Sequence, residues 1–501
     1  MPDHPTPPPR DSQSKIVATI GPACEGEEKL AELIVAGVDV FRLNMAHADH
    51  RQQDVRLAAI RAAAARTGHT VGVLVDLAGP KMRLGELPGG QLLCRTGARV
   101  RFVRQVGKSN AQIPELTTTY EPLIDELHPD DRVMLADGTV SLVVEKVSKD
   151  AAECRVVQSG LIRSRQGVNL PGVKLSVPAL NDIDRENAVW AAQNGIDFVG
   201  LSFVRRPEDV CELKELLERS AADPAWGGPH VIAKIEKPEA LDALTAVVAA
   251  ADGVMVARGD LGVEIDIAQV AVAQKRIIAE CRRQRKPVIV ATQMLESMQH
   301  SQIPTRAEVA DVSNAILDGA DACMLSGETA VGEYPRETVE TMNRIALAAE
   351  TLLGPHEEKT EPTCADEDCR GDYREGGWRP VNSLTRAVVS GAGTLAERLE
   401  AKLIIVASAS GATALSLAKN RFRVPTVGVS GTAATLRRMC LYWGVTPLPG
   451  APLDDSPALV RFVTAWGKQH GLLHGGDRIV LIAGTGTTVS KHNMIAVHEV
   501  E

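Results

Sequence analysis

Aromatic side chains are scarce in this chain: Phe, Tyr and Trp together make up 3% of its 501 residues. The core must therefore be aliphatic, and little flat surface remains on which nucleic-acid bases could stack. An excess of positive charge is also missing. The formal charge of −9 and a pI near 5.8 leave no attraction for non-specific binding to nucleic acid, so no nucleic-acid partner is expected. No apolar run approaches the ~20 residues of a membrane-spanning helix, so no membrane partner is expected either. The opening MPDHPTPPPRDSQS is Pro-rich and polar and lacks the apolar centre of a signal peptide. It is expected to be a loose tail over residues 1–13 of a cytoplasmic protein. The nine cysteines are odd in number and scattered, as reduced thiols would be. Cys364 and Cys369 lie close together in a charged segment, but no second ligand pair of metal-site spacing follows them.

What is present is an ordinary globular composition, 44% hydrophobic and 24% charged, with ample core. The length suggests roughly three or four domains. Eight short β-like runs stand out: Lys15–Pro22, Val38–Ala46, Val71–Gly79, Phe198–Val204, His230–Glu236, Gly253–Asp260, Pro287–Met294 and Ala322–Glu328. Helical patterns separate most of them, among them Glu27–Ala36, Asp54–Ala65, Pro207–Arg219, Pro238–Ala250, Ile267–Arg283 and Arg306–Leu317. Strands alternating with helices imply right-handed βαβ units and a parallel sheet. Eight such units imply a closed (β/α)8 barrel of the TIM type, placing the chain in the α/β class. No tandem sequence repeat beyond this alternation is read.

The gap between the third and fourth runs is too long for one crossover. Its last part, Asn181–Asn194, reads as the missing helix. The earlier part, 85–168, alternates short β runs (Arg99–Val103, Arg132–Leu135, Thr139–Val144, Glu153–Val157) with turns. This predicts a small β domain inserted in a barrel loop as a lid over the mouth. The barrel is expected over 14–84 and 169–353, a Gly- and Pro-containing linker over 354–380, and a C-terminal open α/β regulatory domain over 381–501.

In such a barrel the chemistry collects at the carboxyl ends of the strands. Asp252-Gly-Val-Met-Val-Ala-Arg-Gly-Asp260 is an apolar strand that ends in a cation, a glycine and a carboxylate. Taken alone, it is a polar strand-to-helix turn with Asp260 as an N-cap. The pattern recurs, however. The second run ends Arg42-Leu-Asn44-Met-Ala-His47, the third carries Asp76, then Lys81 and Arg83, and the fourth carries Ser202 and then Arg205. The fifth ends Lys234-Ile-Glu236, the seventh Thr292-Gln293, and the eighth Ser326-Gly-Glu328. Such a rim offers cations for an anionic substrate and carboxylates for a hard metal. Glu236 and Asp260, on neighbouring strands, can hold Mg2+ together with substrate oxygens and water; the alternative for Lys234 and Glu236 is a buried ion pair. The N–H groups of Gly259 and Asp260 can point into the mouth and bind a carboxylate or phosphate. Arg42, Lys234 and the metal together suit phosphoryl transfer, which needs positioning and charge stabilisation more than covalent help.

Longer motifs run the length of the chain: Lys15-Ile-Val-Ala-Thr-Ile-Gly-Pro22, Phe41-Arg-Leu-Asn44, Gly167-Val-Asn-Leu-Pro-Gly172, Ala257-Arg-Gly-Asp-Leu-Gly262, Ala291-Thr-Gln-Met-Leu-Glu-Ser297, Pro304-Thr-Arg-Ala-Glu308 and Met324-Leu-Ser-Gly-Glu-Thr329. Together they resemble the pyruvate kinase family over essentially the whole chain. The resemblance implies transfer of phosphate from phosphoenolpyruvate to ADP, giving pyruvate and ATP, with Mg2+ or Mn2+ as cofactor. It gives Lys234 the role of stabilising the phosphoryl group in transfer and makes Glu236 and Asp260 metal ligands. Arg42 meets the phosphate, with Arg83 as a second phosphate-side arginine, and Asn44 and His47 lie on the nucleotide side. Gly259, Asp260 and Thr292 lie by the substrate, and Ser326 and Glu328 stand behind the enolate. A homotetramer is also implied.

The departures from the family pattern are local. The family's potassium site uses side chains of which Asn44 and Asp76 remain, whereas Ala46, Leu77, Ala78 and Lys81 take other positions. Ala46 removes a hydroxyl, and the Lys81 ammonium replaces a carboxylate and can supply the charge of the missing cation. This combination resembles the potassium-independent members; the alternative is a solvated lysine at the lid hinge. In the lid, Arg165-Gln166 retains one of the family's two basic residues. In the last domain, Ser408-Ala-Ser410-Gly411-Ala-Thr413 follows a strand and aligns with a sugar-phosphate effector loop, so a phosphorylated-metabolite effector is expected; the alternative is a plain capped turn. Two rival functions remain. One is a lyase or aldolase working through an Mg2+-enolate, which would not need the lid, Arg42, Asn44 or His47. The other is a catalytically weakened regulatory paralogue, against which Lys234, Glu236, Asp260 and Thr292 argue.

Overall fold

The computed structural model describes residues 6–8, 10–46, 48–105, 113–136, 138–173, 175–223, 226–353, 381–484 and 492–501. His47 and the expected linker 354–380, with Cys364 and Cys369, lie outside the described residues.

Eight parallel strands close a barrel, each paired with its neighbours in chain order and the last with the first. They are β1 (Lys15–Thr19), β2 (Val40–Asn44), β3 (Gly72–Asp76), β4 (Phe198–Leu201), β5 (His230–Ile235), β6 (Gly253–Ala257), β7 (Val288–Ala291) and β8 (Ala322–Leu325). Every expected run contains one of them; Arg42, Asn44, Asp76 and Lys234 lie in the last residues of their strands, and Glu236, Asp260, Thr292 and Glu328 lie just beyond theirs. Strands buried on both faces cannot hold unpaired charges, so the polar residues gather at the strand ends, where they pair with one another or reach the mouth. After β6 the chain turns directly into a helix, Arg258–Glu264, whose N-cap is Ala257. Asp260 is therefore a first-turn residue and not the cap.

Alternation along the strands stacks the interior in layers. Val17, Val40, Leu74, Phe198, Ile232, Met255, Ile289 and Met324, one from each strand, belong to a single apolar cluster that continues into the C-terminal domain through Met439, Cys440 and Tyr442. Two residues further along each strand lie Thr19, Arg42, Asp76, Gly200, Lys234, Ala257, Ala291 and Ser326. The small members of this upper layer leave room for the long side chains of Arg42 and Lys234. A Cβ on Gly200 would stand 3.1 Å from Asp76 Oδ1.

The floor of the barrel carries a repeat that the sequence reading missed. A small residue, a hydrophobic residue and an aspartate precede every even strand: Gly37-Val-Asp39, Gly195-Ile-Asp197, Ala250-Ala-Asp252 and Gly319-Ala-Asp321. Each carboxylate accepts the amide of a residue on the preceding strand, Ile16, Val73, Val231 or Val288, at 2.7–2.9 Å. Each also meets a cation. Arg10 and Lys15 face Asp39, Arg437 faces Asp197, Lys214 faces Asp252, and Lys419 and Arg421 face Asp321. Arg437, Lys419 and Arg421 belong to the C-terminal domain, which is thereby fastened to the floor.

Between β3 and β4 the chain forms a separate six-stranded curled sheet and a two-stranded one, with their own core around Val133, Leu142 and Val156. All four expected β runs are strands there. The additional strands Gln91–Cys94, Glu115–Leu116, Gly160–Arg163 and Val168–Asn169 are too short for alternation to signal. The C-terminal domain is a five-stranded sheet, parallel except for its edge strand Met494–Glu499, and includes the three-residue strand Val445–Pro447 that the sequence reading did not find. The described part of the supposed tail is not loose. Trp466 Nε1 donates to Thr6 O at 2.8 Å, Gly444 N donates to Gln13 O at 2.9 Å, and Arg10 pairs with Asp39 at 2.6 Å. No described helix is long and apolar enough to cross a membrane.

Candidate active site

Lys234 is the centre of the upper layer. Buried at the end of β5, its ammonium donates to Ser202 Oγ at 2.7 Å and pairs with Glu236 Oε1 at 2.8 Å and Asp76 Oδ1 at 3.1 Å. Burial alone would lower its pKa, but Asp76, Glu236 and Asp260 together raise it above the ordinary lysine value. The ammonium is thus fixed as a cation in a dry site, where charge acts most strongly. Ser202 in turn donates to Leu77 O at 2.7 Å. Ser202, which the sequence places at a strand end, thus fixes the direction of the Lys234 ammonium through the bond it accepts.

Arg42 is held by the same carboxylate from the other side. Its Nε and Nη2 lie 2.8 and 2.5 Å from Asp76 Oδ2, and its Nη1 donates to Thr19 Oγ1 at 3.1 Å. Burial would push Asp76 up, yet Lys234 and Arg42 hold it below the usual carboxylate range. Burial is the largest influence on Glu236 and raises its carboxyl; Lys234 pulls it down and Asp260 pushes it up again. Its Oε2 accepts the Phe203 amide at 2.9 Å, a residue held at φ +58. The half-buried Asp260 has no hydrogen bond or ion pair among the described residues. A raised buried carboxyl beside an unpartnered carboxylate is a donor pair short of a cation, and suits Mg2+. Among the described residues no three His, Cys, Asp or Glu side chains are placed to hold a metal ion by themselves, so substrate oxygens and water would complete such an ion's shell.

Just past the end of β7, Thr292 and Gln293 sit at φ +71 and +54. For a β-branched residue this conformation is a true outlier, costing on the order of 1–3 kcal/mol, of the kind found at functional sites. Thr292 Oγ1 accepts the Gly259 N–H at 2.8 Å. That amide is therefore engaged within the protein and does not line an open anion cradle as expected. A Cβ at residue 259 would lie 3.3 Å from the same hydroxyl. Glu328, raised by burial, accepts the amides of Ser326 at 2.7 Å and Leu295 at 3.2 Å, bracing the loops after β7 and β8.

Other expected residues lie apart from this cluster. Arg83 stands at the base of the lid, its Nη1 donating to Arg165 O at 3.1 Å. Asn44 Oδ1 accepts the Ala46 amide at 3.1 Å, beside Asp76 in register. Leu77 is buried, whereas Lys81 is exposed with no hydrogen bond or ion pair of its ammonium to a described residue. In the C-terminal domain, Ser408 Oγ accepts the Gly411 amide at 3.0 Å, Ser410 Oγ accepts the Ala412 amide at 3.4 Å, and Thr413 Oγ1 meets His492 Nδ1 at 3.1 Å. These hydroxyls are engaged within their own domain, as in a capped turn.

The same chain matches known families over both large domains. Residues 11–339 match the barrel domain of pyruvate kinase, and 386–498 match its alpha/beta domain. The pyruvate kinase of Geobacillus stearothermophilus is 38% identical over 495 residues, covering 97% of this chain and 80% of that one. That of Mycobacterium tuberculosis is 39% identical over 490 residues, covering 97% and 98%. A crystal structure of a pyruvate kinase from Cryptosporidium parvum superposes with a TM-score of 0.85 at 32% identity, covering 98% of this chain and 97% of that one. With a barrel, lid and C-terminal domain in the same order and a mouth built around Lys234, the chain belongs to the pyruvate kinase family.

Proposed function

We propose that the mouth of the barrel transfers the phosphoryl group of phosphoenolpyruvate to ADP, giving pyruvate and ATP, with the residue roles that follow. The observation that carries this reading is the fixed Lys234 cation between Asp76 and Glu236. Lys234 meets the phosphoryl group as it leaves the enol oxygen, and Arg42 holds a second face of the same group. Charge stabilisation by fixed groups is what this reaction requires. Glu236 and Asp260 would hold Mg2+ or Mn2+, which when bound supplies positive charge to the phosphoryl and enolate oxygens. Thr292 faces the pyruvoyl moiety, and Ser326 and Glu328 support the loop behind it. Asn44, His47 and Arg83 serve the nucleotide side. A coupled assay with phosphoenolpyruvate, ADP and Mg2+ should yield pyruvate and ATP in equal amounts. Pyruvate without ATP would instead favour a lyase, and neither product the weakened paralogue.

Potassium is not required in this reading. Asp76, one of the residues retained from the family's potassium site, is already neutralised by Arg42 and Lys234, Ala46 offers no hydroxyl, and Lys81 is free in the hinge to bring its charge in when the lid closes. Turnover in sodium-free buffer should change little on adding K+; a large stimulation would sink the idea. The reading includes a homotetramer, seen in light scattering as about four times the 53.5 kDa chain. It also includes control by a phosphorylated metabolite at Ser408, Ser410, Gly411 and Thr413, which flat dose-response curves for sugar phosphates and AMP would remove.

A further inference from the structure

Arg258 looks in the sequence like one more rim cation for an anionic substrate. Its surroundings say otherwise. The guanidinium is turned away from the Lys234 cluster, and its Nη1 meets both oxygens of Asp311, on the helix Arg306–Asp318, at 2.6 and 2.8 Å. Its Nη2 donates to the backbone carbonyls of Thr292 at 2.7 Å and Gln293 at 3.3 Å. These two carbonyls belong to the two consecutive residues held at positive φ. Next to Arg258, the Gly259 N–H takes the Thr292 hydroxyl. The register aligns Ala257 with Ala291, so one dipeptide at the end of β6 holds both the backbone and the side chain of Thr292 at the end of β7.

We propose that Arg258 is a positioning residue for phosphoryl transfer: clamped by Asp311, it holds the Thr292–Gln293 carbonyls and thereby keeps Thr292 aimed at the substrate. A strained conformation persists only where its surroundings over-determine it, and the forked guanidinium serves acceptors on two sides at once as a lysine ammonium cannot. The charge of Arg258 is spent on Asp311, so its contribution is geometric. The inference rests on the reading of Thr292 as a group that meets the pyruvoyl moiety.

The test is a double-mutant cycle on the full-length enzyme, read as kcat and KM with phosphoenolpyruvate, ADP and Mg2+. R258K should lower kcat about 10²-fold, the effect of a small misplacement of a reacting group, with both KM values little changed. T292A should also lower kcat, and R258K/T292A should be no slower than T292A, because the arginine has nothing left to position. If T292A retains full kcat, the reading of Thr292 falls and the clamp falls with it. If T292A is impaired but the two losses multiply in full, the clamp is wrong while the reading of Thr292 stands. A rise in the KM for phosphoenolpyruvate at unchanged kcat would make Arg258 a substrate cation and overturn the proposal. Should R258K fail to fold, D311N, which frees the guanidinium from its anchor, is run through the same cycle with the same outcomes and a smaller expected loss, about tenfold.

Discussion

At the floor of the barrel, Asp39, Asp197, Asp252 and Asp321 each accept an amide from the neighbouring strand and each face a cation. At the mouth, Glu236 shares one lysine with Asp76, and the Asp260 carboxylate makes no hydrogen bond or ion pair among the described residues. The same residue types at opposite ends of the same barrel therefore do different work. Floor carboxylates spend their charge inside the protein, closing strand ends and fastening the C-terminal domain. Mouth carboxylates keep part of theirs for something that arrives from solution. The strained pair Thr292 and Gln293 also sits at the mouth, where function can repay strain.

The comparison breaks first at Lys234. K234M should lower kcat roughly 10⁴-fold, the scale of removing a cation from a phosphoryl-transfer site, while the urea midpoint moves less than in the floor variant D321N, because Asp76 keeps Arg42 and Glu236, already raised by burial, can take up a proton. A comparable loss of stability would mean that the mouth cluster is structural after all. At the floor the expectation reverses. D321N leaves Lys419, buried at 1% side-chain exposure, without its counter-ion. It should cost about 3–5 kcal/mol, seen as an earlier urea transition, with kcat at 25 °C little changed in the protein that remains folded. Loss of activity without loss of stability would erase the distinction between the two ends.

Asp184 lies between the two kinds and gives the smallest effect. It follows the chain's return from the lid, and one oxygen accepts the Ala78 amide at 3.1 Å while the other has no hydrogen-bond partner. Burial is the main cause that pushes its carboxyl up to about 6. Since the unfolded value lies near 4, the native state holds this proton more tightly. The resulting stabilisation is complete below pH 4 and is lost as the pH rises through 6. D184N cannot ionise, so it should gain stability relative to the parent between pH 4 and 7, by about 2 kcal/mol. Denaturation midpoints that differ by a constant amount across this range would show that Asp184 is not held as a floor-like carboxylate deprived of its cation.

Much of this was legible in the residues. Short apolar runs alternating with helical patterns located all eight strands, and Arg42, Asp76, Lys234 and Glu236 were picked out together because a buried strand cannot hold such residues except at its end. The period of two along each strand would also have found Thr19 and Gly200, which share the upper layer. The floor repeat stayed hidden because an aspartate before a strand looks like any turn residue until the strand beside it is known. Arg258 misled for a related reason: sequence places a charge at a strand end without telling which way its side chain turns. The Gly259 amide, read as open, is taken by a hydroxyl 33 residues away.

What the sequence by itself determined is the order of elements, the barrel, and the identity of the charges gathered at its mouth, since alternation and strand burial are local consequences of side-chain chemistry. Which charges neutralise one another, which carboxylates keep theirs for a ligand, and which arginine positions a neighbour instead of meeting the substrate were decided only by the closed barrel. Those outcomes depend on distances between residues far apart in the chain, and only packing sets such distances.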